Sequence, residues 1–152
     1  MKDMMLQVKN YSKVLAVCVL CSVLCALTNC ENPDPFTTPG NVENPNWTVT
    51  VENDMTASMT ALVKVSFTSQ PGTLAAFIGD DCCGVAEYKP EYGLYWLYMS
   101  KDQRLMTNDI QLRFYSPDLK RIFVATSTFP FGNETHLGTF TDPLTPDWKV
   151  AE

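Results

Sequence analysis

In residues 58–67 apolar side chains return at every second position. Met59, Ala61, Val63, Val65 and Phe67 alternate with Ser58, Thr60, Lys64 and Ser66, and Leu62 alone breaks the rule. A period of two belongs to an extended strand, whose successive side chains point to opposite faces, so this segment has one face to bury and does not fit a helix. Ile110, Leu112 and Phe114 repeat the pattern across Gln111 and Arg113, and Trp47, Val49 and Val51 repeat it across Thr48 and Thr50. Shorter apolar or aromatic runs at 74–78, 84–88, 94–99 and 121–125 are bounded by turn formers such as Pro71-Gly72, Gly79-Asp80, Lys89-Pro90 and Ser116-Pro117-Asp118. This spacing predicts an all-β fold: an antiparallel, Ig-like or jelly-roll-like β-sandwich of about eight strands over residues 46–152. Helical periodicity is missing everywhere, with room for one turn at 101–108.

The first 29 residues stand apart from that pattern. Lys2, Lys9 and Lys13 precede an uncharged apolar run at 14–27, the plan of a secretory signal peptide. Fourteen residues of helix rise roughly 21 Å, short of the roughly 30 Å hydrocarbon core, so a permanent transmembrane helix is disfavoured. The run closes on Leu27-Thr28-Asn29-Cys30, which resembles the lipobox of bacterial lipoproteins, whose cysteine is lipidated and becomes the new N-terminus. Asn29 stands where that motif usually has a small residue. The resemblance implies lipid on Cys30, membrane attachment through it, and a place in the cell envelope at the outer membrane, on its periplasmic face or at the cell surface.

Residues 30–45 then hold four prolines and few large apolar groups. They are expected to form an extended tether, at about 3.1 Å per residue. Acidic Glu31 and Asp34 loosely resemble export signals of Bacteroidetes surface lipoproteins.

Six cysteines would hint at a disulfide scaffold, but Cys18, Cys21 and Cys25 leave with the leader and Cys30 carries lipid. Only the neighbours Cys82 and Cys83 remain. Joined to each other they would need a strained ring, because ordinary disulfides span Cα separations of roughly 4.4–6.8 Å and adjacent Cα atoms lie only about 3.8 Å apart. On a strand entering Gly84 the two would point to opposite faces, one into the core and one into solvent. The leader also removes three lysines and one aspartate, leaving 8 basic against 16 acidic groups and a charge near −8, where the whole chain has −6. Such a balance excludes a general nucleic-acid binder, which needs clustered cations facing phosphates. With 45% apolar residues the chain is too hydrophobic to be disordered.

One phrase is specific. Ala75-Ala76-Phe77-Ile78-Gly79-Asp80-Asp81-Cys82-Cys83-Gly84-Val85-Ala86, followed by the aromatic Gly93-Leu94-Tyr95-Trp96-Leu97, resembles a β-sandwich module of secreted and lipid-anchored proteins of Bacteroidetes-type bacteria. There a stretch of the form A-A-F-x-G-D-E-C-R-G-V-A precedes an aromatic strand. Cys83 occupies the place of that arginine, so no arginine role carries over. The resemblance implies an extracytoplasmic accessory or binding module and no transferable activity.

Little else in the chain suggests catalysis. His136 is the only histidine and is expected in a surface loop, without a nucleophile or orienting acid nearby in sequence. Phosphate-binding loops, zinc-protease motifs and C-x-x-C pairs are missing from the mature chain. Asp80-Asp81 lacks the spaced carboxylates of a calcium loop and reads as a turn. Asn46-Trp47-Thr48 and Asn133-Glu134-Thr135 match the glycosylation triplet, but in a bacterial chain they read as accidents. No catalytic residue, metal set or cofactor is therefore assigned.

The aromatic residues are the best clue to binding. Tyr88, Tyr92, Tyr95, Trp96 and Tyr98 crowd into eleven residues, and both faces of 94–99 are apolar: Leu94, Trp96 and Tyr98 on one, Tyr95, Leu97 and Met99 on the other. One face must pack the core. The other is either covered by a neighbouring element or offers a stacking surface, and parity does not say which. Tyr95, Trp96 and Tyr98 are the candidate ligand-binding residues. The function so implied is a lipid-anchored envelope binding or adhesion module for a carbohydrate or a partner protein. The competing reading is a structural subunit of an envelope or surface assembly with no small ligand.

Overall fold

The computed structural model describes residues 34–50, 56–102 and 109–151. The leader, Cys30, the last two residues of the strand expected at 47–52 and most of the turn expected at 101–108 lie outside these residues. Asp34–Glu152 forms one compact unit. No helix among the described residues is long and apolar enough to cross a membrane.

Ten strands are described: β1 (Ala57–Val63), β2 (Thr73–Ile78), β3 (Asp81–Val85), β4 (Glu87–Lys89), β5 (Leu94–Lys101), β6 (Asp109–Ser116), β7 (Arg121–Ala125), β8 (Phe129–Pro130), β9 (Thr135–Leu137) and β10 (Trp148–Val150). Sheet A runs β4-β5-β1-β9 and sheet B runs β10-β7-β6-β2-β3, with β8 paired to β6. All pairings are antiparallel except β1 with β9. The two sheets pack together as a β-sandwich.

The period of two places the core. Met59, Ala61 and Val63 from sheet A meet Leu74, Leu112, Phe114 and Phe123 from sheet B in one buried cluster, which Val65 and Phe67 join beyond the end of β1. Burying about 25 cal/mol per Å² of apolar surface in this layer is the main force holding the sheets face to face.

Three expectations change. The run 84–88 is two strands in different sheets: β3 ends at Val85, β4 begins at Glu87, and between them Ala86 donates its N–H to Leu74 O at 2.8 Å. Apolar alternation continues through such a corner, so it could not mark the switch. Residues 47–50 form no strand. They run along the edge of sheet B instead, with Thr50 N–H on Cys82 O at 2.8 Å and the Trp47 ring edge-on to Phe77 at 5.5 Å.

Third, the expected tether joins the folded body at Asp34. Phe36 stacks on Phe123 and meets Phe67 edge-on, both at 5.2 Å. Gly40 and Val42 donate backbone bonds to Leu119 O and Lys120 O, Arg121 Nε binds Thr38 O at 2.9 Å, and the Tyr115 hydroxyl donates to Val42 O at 3.3 Å. Residues 35–38 make a turn, with Thr37 and Thr38 donating to Asp34 O at 3.1 and 2.9 Å, and one aromatic anchor and four hydrogen bonds to the body hold the segment down.

Candidate functional site

The outer face of sheet A carries the exposed rings. Cross-strand register sets the pattern: Thr60 of β1 lies opposite Tyr98 of β5 on one side and opposite His136 of β9 on the other. One step along, Leu62 lies opposite Trp96, which lies opposite Glu87 of β4. Residues opposite each other share a face, so His136, Thr60 and Tyr98 form one row, and Leu62, Trp96 and Glu87 the next.

Trp96 is 47% exposed and Tyr98 57%. Two loops extend the same surface. After β9 the chain turns through Gly138, whose φ of +71° suits glycine, and returns at Leu144, which exchanges backbone bonds with β1 through Leu62 O and Lys64 N. That excursion projects Phe140, whose ring lies 4.9 Å from Tyr92 in the β4–β5 turn. Of the six large hydrophobic residues exposed among those described, Tyr92, Trp96, Tyr98 and Phe140 belong to this face, with only Val42 and Val49 elsewhere. Four of these rings gather on one face, unlike the singly scattered apolar residues common on protein surfaces.

Tyr95, expected among the binding residues, is buried and belongs to the core. Its hydroxyl accepts the Gly72 N–H at 2.8 Å and its ring meets Phe114 edge-on at 5.7 Å. Burial pushes its phenol pKa up. Alternation separated Tyr95 from Trp96 correctly, but both faces of the strand are apolar, and only the packing of the second sheet decides which one turns inward. Of the three candidates, Trp96 and Tyr98 share the exposed face.

Polar groups border the rings. The Lys89 ammonium pairs with Glu87 at 2.6 Å and stands 5.8 Å from the Trp96 centroid, within the range of cation–π attraction. On the other side Thr60 Oγ1 is hydrogen-bonded to His136 Nδ1. His136 thus lies on β9 instead of in a loop. No carboxylate among the described residues holds its ring. The arrangement provides rings for stacking and hydrogen-bonding groups at the rim.

Asp80 follows Gly79 in the turn joining β2 to β3, where Gly79 at φ +61° takes the first central position of a two-residue hairpin. Arg113 caps it, binding Gly79 O at 3.1 Å, lying 3.7 Å from Asp80, and covering the Phe77 ring at 4.1 Å. Asp81 faces Lys101 at 3.5 Å. The acidic pair is thus engaged by cations of the fold itself.

Cys82 and Cys83 are free thiols on opposite faces of β3, and both are buried. Phe77 pairs with Cys82 and Ala76 with Gly84, which leaves Cys83 as the extra residue of a β-bulge. Cys83 enters the main core, while Cys82 sits with Ala75 and Phe77 beneath Trp47. The outward thiol is therefore covered, contrary to the expectation of a solvent-facing one, because 47–50 passes over that edge. Burial pushes the Cys83 thiol up to about 12, helped by the neighbouring Cys82, and raises Cys82 as well. Neutral buried thiols are poor nucleophiles.

Sequence reasoning missed Phe140 and His136 as members of the aromatic face. Phe140 carries no periodic signal, since it reaches β1 only through the loop after β9, and β9 is too short to show alternation. Leu62, the one irregularity of the alternating segment, was the legible trace: an apolar side chain on the outward parity. The fold and site together define a β-sandwich with an exposed aromatic face. No family model, curated protein or solved structure matches this chain.

Proposed function

We propose that the chain is a lipid-anchored binding module of the cell envelope that takes a carbohydrate on the outer face of sheet A. The observation that carries this reading is the outward pair Trp96 and Tyr98, left exposed on a regular sheet and bordered by Thr60, His136, Glu87 and Lys89. A pyranose ring has apolar C–H faces and hydroxyl edges. It matches a surface that offers flat rings at the centre and donors and acceptors at the rim, as ligand sites combine apolar walls with a few placed polar groups.

Attachment to the outer membrane, on its periplasmic face or at the cell surface, rests on Cys30 and the lipobox-like Leu27-Thr28-Asn29-Cys30. The resemblance of 75–86 to the Bacteroidetes-type module supports an extracytoplasmic accessory role. A glycan array probed with the full chain in detergent tests the ligand class: saccharides are retained by the wild type and lost by Trp96→Ala. If no saccharide is retained and envelope proteins instead copurify from solubilised membranes, the assembly reading replaces this one. For the anchor, wild type partitions into the detergent phase of Triton X-114 and Cys30→Ser into the aqueous phase. Wild type already in the aqueous phase contradicts lipidation.

A further inference from the structure

The exposed face is not flat around Trp96. A hollow of about 250 Å³ lies on one side, lined by Thr60, Leu62, Trp96, His136, Gly138 and Phe140. A second, of about 410 Å³, lies on the other, lined by Thr60, Val85, Glu87, Lys89, Trp96 and Tyr98. Trp96 and Thr60 belong to both. Pockets that enclose a whole drug-sized ligand run from roughly 300 to 1,000 Å³; the first hollow falls below that range and the second lies near its lower end, so each has room for one sugar ring and the two together for a pair.

Their chemistries differ. The first is mostly apolar, with the Thr60 hydroxyl and the imidazole of His136 as its polar groups, and Phe140, backed by Tyr92, forms its outer wall. The second holds the Glu87–Lys89 ion pair at 2.6 Å, with Lys89 drawn toward the indole. A carboxylate only accepts hydrogen bonds and an ammonium only donates them, so the pair presents both roles side by side, as vicinal hydroxyls require. A wholly apolar ligand would leave these charges desolvated and imperfectly matched. That disfavours a lipid or an apolar peptide face as the occupant.

Resting on the carbohydrate reading above, we infer that Trp96 divides two saccharide subsites, so that the ligand is an oligosaccharide of at least two units. One unit lies between Trp96 and Phe140 against Thr60 and His136. The next lies between Trp96 and Tyr98 with its hydroxyls on Glu87 and Lys89. The indole contacts both units, and Thr60 stands at their junction.

The test is calorimetric titration of the full chain in detergent with linear gluco- and manno-oligosaccharides of one, two and four units. Two subsites predict at least tenfold tighter binding for two units than for one, and less than threefold further gain for four. Lys89→Ala and Glu87→Gln should weaken the two-unit ligand at least fivefold and change the single unit less than twofold, because the single unit keeps the Phe140 side. Phe140→Ala should weaken the single unit and the two-unit ligand alike, because both occupy the side that Phe140 walls. All of these side chains lie on the surface, and an unchanged melting temperature confirms that each variant is folded.

Equal affinity for one and two units, or two-unit binding indifferent to Lys89, overturns the two subsites while the carbohydrate reading stands. If none of these sugars binds and the glycan array is also blank, both fall together.

Discussion

At the scale of single residues, Gly84 shows how closely the two sheets approach. A Cβ there would collide with the carbonyl oxygen of Tyr98 and come within 3.0 Å of Met99 Cγ. The oxygen is backbone on a central strand and cannot step aside cheaply. Gly84→Ala is therefore expected to cost about 1–3 kcal/mol by overpacking, measured as a lower urea midpoint. Cys83, one residue earlier, sets a pH dependence. Its thiol titrates near 9.0 when free and near 12 when folded, so above pH 9 the unfolded chain has released a proton that the native state still holds. Stability is thus fully present below pH 9 and falls as pH rises toward 12. Urea melts should show a shallower decline over this range for Cys83→Ala than for wild type, each relative to its own value at pH 7. Equal slopes would remove Cys83 as a source. Neither thiol should react with iodoacetamide in the native protein, and both should do so in urea.

At the scale of elements, β1 and β6 were legible because each has one buried and one open face. Their inward residues Met59, Ala61, Val63, Ile110, Leu112 and Phe114 all lie in the core. Val63→Ala and Leu112→Ala should each destabilise by about 2–4 kcal/mol through lost burial and a residual cavity, and Lys64→Ala by less than about 0.5. Similar losses for all three would mean that the strand assignment, or its facing, is wrong. Where both faces are apolar, as in β5, period alone left the inward side undecided, and Tyr95 is on the buried one. Where strands are two or three residues long, as in β8, β9 and β10, there is no period to read. The alternation of Trp47 and Val49 had the right rhythm but no neighbour to complete a ladder, and those residues cover an edge instead.

At the scale of the whole molecule, two parts of the chain that looked separate act on one body. Residues 34–42 are bound to it through Phe36, Thr38, Gly40 and Val42, so the folded unit begins before residue 46. Phe36→Ala should lower stability by about 1–3 kcal/mol, below the roughly 3–5 of a fully enclosed phenylalanine because this ring is half-buried. A thermal melt unchanged by the substitution would return this segment to the role of a free tether. The aromatic face, for its part, draws Trp96 and Tyr98 from β5, His136 from β9 and Phe140 from the loop after it, which meet only because β1 and β5 pair at the centre of sheet A. No local pattern could have assembled that group.

Ligand binding on this face, at Trp96, as proposed above, has a direct optical readout. Three tryptophans report separately: Trp47 on the outer edge of sheet B, Trp148 against the core, and Trp96 in the open. Tryptophan emission of the full chain should be followed during titration with the saccharide that the array retains, in wild type, Trp96→Phe and the double variant Trp47→Phe/Trp148→Phe. Binding at Trp96 predicts a saturable change in wild type that the double variant keeps and Trp96→Phe loses. A change that survives in Trp96→Phe and vanishes from the double variant would place the ligand elsewhere and contradict it.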